Sequence, residues 1–178
     1  MVRMRVAMVV TFTAFVGMLA ACGPPDDALI LGSTDGSVEI CVGDFTEPVT
    51  QGEPISFSDG VESATLVRAG LVGADGVRVV EQAASRAVLR DDGTHLGVGT
   101  INVSEGDEAW DARVPLAGTV IENDGGETWF VALAVERTSE RAGGFDAIEL
   151  VYEVDGHEKV ARGTQSMNFP ARGESCDE

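Results

Sequence analysis

The sequence predicts an all-β protein, an antiparallel immunoglobulin-like β-sandwich of about seven to nine strands, with a β-barrel as the alternative. Two observations lead to this prediction. Turn signals such as ADG, DDGT, NDGGE and DG recur at short intervals, and the runs between them are rich in alternating apolar residues. Beyond residue 37, no long stretch has the spacing of an amphipathic helix.

The predicted strands are short and follow one another between these turns. Pro54 opens a run that suits an edge strand, because proline cannot donate to the ladder. The run 83–90 fits either a helical turn or continued strand, and the ADG turn at 74–76 predicts a hairpin. In chain order the predicted strands are Ser37–Asp44, Pro54–Ser58, Glu62–Val72, Val77–Gln82, His95–Thr100, Leu116–Glu122, Thr128–Arg137, Ala147–Val154 and His157–Phe169.

Two of these strands have the clearest patterns. Both faces of Thr128–Arg137 are apolar, which predicts a central strand. Ala147–Val154 carries Glu149 and Glu153 on one face only, which predicts one wet face. Asp155-Gly156 follows directly, and this dipeptide favours the type I′ turn of a hairpin.

The N-terminus has the three regions of a signal peptide. Arg3 and Arg5 precede an uncharged run from Val6 to Ala21, and small residues precede Cys22. These 16 residues are few for a membrane-spanning helix, which needs about 20. We therefore predict a signal helix over residues 1–21.

The stretch Leu19-Ala20-Ala21-Cys22 resembles the lipobox of bacterial lipoproteins. This resemblance implies a diacylglyceryl group on the Cys22 thiol, cleavage by signal peptidase II between Ala21 and Cys22, and fatty acyl chains such as palmitate. It implies a protein held on the extracytoplasmic face of the bacterial cell membrane, because two or more chains give stable anchoring. The alternatives are a secretory signal with an unmodified cysteine, and a retained transmembrane helix.

The remaining chain divides into a predicted tether, 22–36, and a predicted domain, 37–178. Pro24, Pro25 and a Gly/Ser/Thr/Asp cluster characterise the tether, in which the run ALIL at 28–31 is a candidate for docking on the domain. Cleavage would leave 157 of the 178 residues and change the formal net charge from −18 to −20. Such a charge excludes nucleic acid as a partner, and the periodic apolar residues argue against disorder.

Three cysteines leave one without a partner if two of them pair. With Cys22 lipidated, Cys41 and Cys176 are predicted to form a disulfide in an oxidising compartment. Two separate buried thiols are the alternative. Two sulfurs alone do not make a structural zinc site.

No motif in the chain identifies a catalytic residue or a cofactor. Ser166 lacks the second glycine of a nucleophile elbow, and the glycines of residues 70–76 are explained by a turn. A hydrolase using paired carboxylates stays open as an alternative, because acidic residues are abundant.

A calcium-dependent module is a further alternative. The acidic loops SEGDEAWD and ENDGGE contain the weak candidate ligands Glu105, Asp107 and Asp124, although neither loop has EF-hand spacing. His95 and His157 are far apart in sequence and are interpreted as structural or surface residues. We therefore predict no metal site.

Trp110 and Arg113 form either a recognition patch or, in the interpretation we favour, a core-covering indole and an ion-paired arginine.

The stretches WDARVPLAGTVI, TWFVALAVE and IELVYEVDG resemble small uncharacterised actinobacterial lipoproteins over residues 60–168. This resemblance implies a β-sandwich and membrane attachment, and it transfers no active residue. The sequence therefore predicts a lipid-anchored, non-catalytic module that binds an unknown protein or envelope ligand.

Overall fold

The computed structural model describes residues 28–33, 36–43, 45–89, 95–125 and 127–176. The predicted signal helix, Ala21 and Cys22 lie outside these residues. A four-residue helix, α1 (Glu108–Asp111), follows a 3₁₀ turn at Val103–Glu105. The strands are β1 (Leu29–Leu31), β2 (Val38–Cys41), β3 (Val49–Phe57), β4 (Ser63–Val72), β5 (Val77–Arg86), β6 (Val88–Leu89), β7 (His95–Leu96), β8 (Val114–Pro115), β9 (Val120–Glu122), β10 (Trp129–Arg137), β11 (Gly143–Phe145), β12 (Ala147–Val154), β13 (His157–Arg162) and β14 (Gln165–Phe169).

The strands form a β-sandwich around one main core. A five-stranded sheet, β1-β3-β10-β5-β8, packs against a four-stranded sheet, β13-β12-β4-β9, and a three-stranded sheet, β11-β14-β2. Strands β6 and β7 pair separately. No sheet closes on itself within the described ranges. The predicted all-β sandwich is thus confirmed, with one parallel pair, β14 and β2, among antiparallel neighbours.

Strand β10 lies at the centre of the five-stranded sheet, between β3 and β5, as its two apolar faces predict. Its inner face carries Val131, Leu133 and Val135 into the main core. Its outer face carries Ala132 and Ala134 into a second, smaller cluster. The five-stranded sheet is therefore covered on both sides.

The strand predicted to start at Pro54 is longer and lies inside the sheet. Strand β3 begins at Val49, and Pro54 pairs with Phe130 of β10. The Pro54 carbonyl accepts the Gly32 N–H at 2.9 Å, so the missing proline N–H also points away from β10. Proline is tolerated in this interior strand because its missing N–H takes no hydrogen bond from the β3–β10 ladder. The prediction of an edge strand assumed such a loss, and it is wrong.

Two predicted hairpins have different outcomes. Strands β12 and β13 form the hairpin around Asp155-Gly156, with φ of 52° and 74° at these residues, which confirms that prediction. Strands β4 and β5 belong to different sheets, so the turn at 74–76 connects the two layers. The ambiguous run 83–90 continues β5 as far as Arg86.

The described fold starts inside the predicted tether. Ala28, Leu29 and Leu31 are at most 2 % exposed, and β1 pairs with the end of β3. The Leu29 N–H also donates to the buried Tyr152 hydroxyl of β12 at 3.0 Å. The ALIL run of the predicted tether therefore packs against the domain.

The predicted disulfide is present. Cys41 of β2 and Cys176 are bonded across a sequence separation of 135 residues, with their Cα atoms 5.8 Å apart. The bond ties the edge of the three-stranded sheet to the C-terminal segment.

Candidate functional site

The most unusual side chain in the described residues is the Glu53 carboxylate, which is 0 % exposed. Glu53 lies on β3 opposite Val131 of β10, so its side chain shares the inner face with the main core. Gln51, at 2 % exposed, lies two residues earlier on the same face. Alternation along β3 thus directs an amide and a carboxyl into the sandwich.

Backbone groups of the β13–β14 connection satisfy the carboxylate. The Thr164 N–H donates to Glu53 Oε2 at 3.2 Å, and the Gln165 N–H donates to Oε1 at 3.1 Å. Gln51 donates to the Gln165 side chain and accepts from Thr100 Oγ1 at 2.6 Å. These polar groups satisfy one another inside the sandwich.

Two glycines allow the carboxylate to approach the backbone this closely. A Cβ at Gly163 would overlap the Glu53 carboxylate, and a Cβ at Gly32 would lie 2.8 Å from Oε2. Glycine at both positions leaves the space that the carboxylate fills. Glu53 therefore touches three chain segments: its own strand, the residues after β1, and the β13–β14 connection.

Burial raises the pKa of Glu53 from its ordinary 4.5 to about 7, whereas the N–H groups of Gln165 and Thr164 act in the opposite direction. Desolvation wins because two neutral donors replace a full hydration shell only in part. This carboxyl can exchange a proton near neutral pH.

A carboxylate pair of the kind that a glycosidase uses is not formed here. No second carboxyl contacts Glu53 in the part of the chain that the structure describes. The hydrolase alternative required two converging acids, and the geometry around Glu53 supplies a single enclosed one.

The weak calcium candidates have other partners. Asp107 caps α1 by accepting the Ala109 and Trp110 N–H groups at 2.8 and 3.1 Å. Glu105 accepts from Asn102 at 2.6 Å, and Asp124 accepts the N–H of residue 127 at 3.3 Å. Among the described side chains, no group of three or more His, Cys, Asp or Glu could hold a metal ion.

Trp110 and Arg113 adopt the structural arrangement that we favoured. Trp110 is 1 % exposed and packs on the small residues Ala83, Ala132 and Ala134 of the outer face. The Arg113 guanidinium lies 4.3 Å from the indole centroid and pairs with Glu81 at 2.6 Å. A buried indole offers no recognition surface.

The histidines and Ser166 lie in separate sheets. His95 is in β7, and His157 is exposed at the start of β13 in the four-stranded sheet. Ser166 is in β14, opposite Glu39 of β2. The structure thus brings neither histidine into a described metal cluster.

A cavity of about 280 Å³ opens at the end of the sandwich where β10 ends. It is lined by residues 45–48, residues 136–140 and Arg172. The Arg137 guanidinium donates to the carbonyls of Pro170 at 2.6 Å and Arg141 at 3.0 Å, and Arg172 pairs with Glu140 at 2.8 Å. Through these contacts, both arginines connect neighbouring loops.

The sequence interpretation missed Glu53. The signal was present in the run VTQGEPISF, where Gln51 and Glu53 are in phase with Val49 and Ile55. A strand beginning at Val49 places all four side chains on one face, and that face packs into the main core.

None of the helices in the described ranges has the length and apolar character needed to cross a membrane.

Comparison with known proteins identifies no family. No family model matches the chain, and no curated protein matches it. Among solved structures, the chain is similar to the Vibrio cholerae VesB protease at 12 % identity, with a TM-score of 0.38. The alignment covers 83 % of this chain and 33 % of the VesB chain. A similarity at this level carries no argument about fold or activity.

Proposed function

We propose that this protein is a lipid-anchored extracytoplasmic lipoprotein whose β-sandwich acts as a non-catalytic binding module at the cell envelope. The anchor is a diacylglyceryl group on Cys22, exposed as the first residue by cleavage after Ala21. The partner is a protein or another envelope ligand.

The Cys41–Cys176 disulfide is the observation that carries this proposal. Structural disulfides persist in oxidising compartments outside the cytoplasm. Pairing these two cysteines leaves Cys22 as the odd thiol of the chain, and it is the cysteine that follows Leu19-Ala20-Ala21.

The short distance in sequence between Cys22 and the fold supports an anchoring role. Ala28 is already fully buried, six positions after Cys22. Six residues span at most about 20 Å when extended, so a lipid on Cys22 would keep the sandwich close to the bilayer. The strong negative charge would limit adhesion of the domain to anionic headgroups.

Metabolic labelling with a palmitate analogue tests the anchor. We expect the wild-type chain to incorporate label and to sediment with membranes, with a mature N-terminus at Cys22 by mass spectrometry. Cys22→Ala should lose the label and stay unprocessed or leave the membrane fraction.

A matched control separates the anchor from general damage to the cysteines. The double variant Cys41→Ser/Cys176→Ser should still incorporate label, because the disulfide lies outside the processing signal. Unlabelled wild-type protein, or a Cys22→Ala variant that retains label and membrane association, would refute the proposal.

A further inference from the structure

The Glu53 carboxylate lies where three segments distant in sequence meet. It accepts N–H groups of Thr164 and Gln165 and contacts Gly32 and Gly163. We name this arrangement, Glu53 with Gly32 and residues 163–165, the carboxylate junction. Further bonds reinforce it, since Ser33 N–H donates to Thr164 Oγ1 at 3.0 Å.

The junction also holds the start of the parallel strand pair. Val38 pairs with Gln165, and the Val38 N–H donates to the Thr164 carbonyl at 3.0 Å. At the other end of this pair, Cys41 lies opposite Asn168 and is bonded to Cys176. One end of the β2–β14 pair is therefore tied covalently, and the other depends on the junction.

Among the described residues, no positive charge compensates the carboxylate. Within the described ranges, its hydrogen-bond partners are the two backbone N–H groups alone, and no ion pair reaches it. Strands β1 and β14 carry no titratable residue. The charged or titratable residues on the other strands packed around the junction make no described contact with Glu53. They are Glu39 of β2, Glu136 and Arg137 of β10, Glu149, Tyr152 and Glu153 of β12, and His157, Glu158, Lys159 and Arg162 of β13.

We propose that the carboxylate junction is a pH-sensitive latch: it stays closed while Glu53 is protonated, and ionisation of Glu53 opens the connections at 32–33 and 163–165 to water. A protonated carboxyl is neutral and avoids the cost of burying an ion. An ionised carboxyl without a cation gains from hydration, and the flanking connections are partly open to water, since Ser33 is exposed and residues 163–165 are half-buried.

The titration of Glu53 sets the pH range of the latch. Because burial raises the pKa of Glu53 to about 7, the closed state loses stability as pH rises from 4.5 to about 7 and is least stable above neutrality. Opening starts at the Val38–Gln165 end of the strand pair. It stops before Cys41, because the disulfide holds that end.

Amide hydrogen exchange on the full chain, purified in detergent with its disulfide intact, tests the latch. Exchange of the Thr164 and Gln165 amides is compared between about pH 6 and about pH 8.5 after correction for the intrinsic rate. We expect protection to fall about tenfold, since the opening equilibrium rises tenfold for each pH unit between the ordinary pKa of 4.5 and the folded-state pKa of about 7, and levels off above that value. Amides at the centre of β10 should keep their protection.

Two variants isolate the carboxylate. Glu53→Gln cannot ionise, so the corrected protection of Thr164 and Gln165 should be independent of pH. Glu153→Gln changes an exposed acid on β12 and should behave as the wild type does.

A measurement on the wild-type protein keeps the test decisive if Glu53→Gln does not fold. The carbon-13 resonance of the Glu53 carboxyl should titrate near pH 7. A midpoint below about pH 5, or Thr164 and Gln165 protection that is constant or rises with pH, would overturn the latch.

Discussion

The two faces of the five-stranded sheet are covered in different ways. The outer face meets residues 97–113, which pack Trp110 onto small side chains and place the capping carboxylate of Asp107 at the surface. The inner face meets two further sheets, which enclose the carboxylate of Glu53 completely and include the disulfide-bonded strand β2.

Both faces use a carboxylate to accept backbone N–H groups, and burial distinguishes them. Asp107 is half-buried and keeps access to water, so its capping bonds need not offset full desolvation. Glu53 makes two similar bonds with no access to water, and its pKa rises to about 7. Full burial of the acceptor therefore makes the packing of the inner face sensitive to pH.

Removing the disulfide should have the largest effect on stability. It should loosen the sheets that pack on the inner face of the five-stranded sheet, which we call the inner cover; residues 97–113 on the outer face are the outer cover. We expect Cys41→Ser/Cys176→Ser to lower the free energy of unfolding by about 4–5 kcal/mol, because a long loop is no longer closed in the unfolded chain. Urea unfolding measures the loss. Amide hydrogen exchange should increase first in β2 and β14. An earlier increase in residues 97–113 would show that the two faces of the sheet do not loosen separately.

Truncating Trp110 should damage the outer cover. Trp110→Ala removes a side chain that is 1 % exposed, and we expect a loss of about 3–5 kcal/mol from lost burial and the cavity left behind. Thermal unfolding checks the magnitude. The carboxyl titration of Glu53 should be unchanged in this variant, and a shifted midpoint would show that the two covers are coupled.

Ionisation of Glu53 on the inner face should lower the free energy of unfolding by about 3 kcal/mol as pH rises. Because the folded pKa of Glu53 lies above the ordinary 4.5, its contribution is full below pH 4.5 and is lost as pH rises through about 7. The measurement is the free energy of unfolding of the wild type minus that of Glu53→Gln across this range. A difference that is flat with pH would remove the contrast with Asp107.

Removing the Asp107 cap should cost about 1 kcal/mol, because Ala109 and Trp110 lose their N–H partner. Chemical denaturation of Asp107→Ala measures the loss. Added calcium should leave its melting temperature and that of the wild type equally unchanged. A calcium-dependent rise in the wild type alone would revive a metal role for this loop.

The smallest effect is expected at Arg113. Its ion pair with Glu81 is partly exposed, so Arg113→Ala should lose under about 1 kcal/mol. The melting temperature should change by a few degrees at most. A loss as large as that of Trp110→Ala would mean that the arginine, rather than the indole, holds the outer cover.

Sequence patterns within a single strand or turn predicted part of this fold correctly. The apolar faces of β10 and the Asp155-Gly156 hairpin follow from local spacing, and the Cys41–Cys176 pair was predicted from the cysteine count together with the lipobox resemblance at Cys22. Assignment of β4 and β5 to different sheets depends on pairing with β12 and β10, which are far away in sequence. No local pattern encodes that choice.

The inner carboxylate was missed for a related reason. Gly52 and Pro54 weaken the strand signal of β3, so its first residues were not predicted as strand. Burial of Glu53 then depends on Gly32 and Gly163, which only the folded chain brings to it. The phase of Gln51 and Glu53 with Val49 and Ile55 places them on one face, but the glycines that make room for the Glu53 carboxylate lie far away in sequence.

The bond between Cys41 and Cys176 makes most of the domain a covalent ring. A protease that cuts the backbone once between residues 42 and 175 leaves both fragments joined. A cut between residues 23 and 28 opens no ring and releases the sandwich with β1 attached, whereas a cut between residues 32 and 37 leaves β1 on the preceding fragment. For a surface exposed to proteolysis, the segment before Ala28 is therefore where one cleavage releases the whole sandwich.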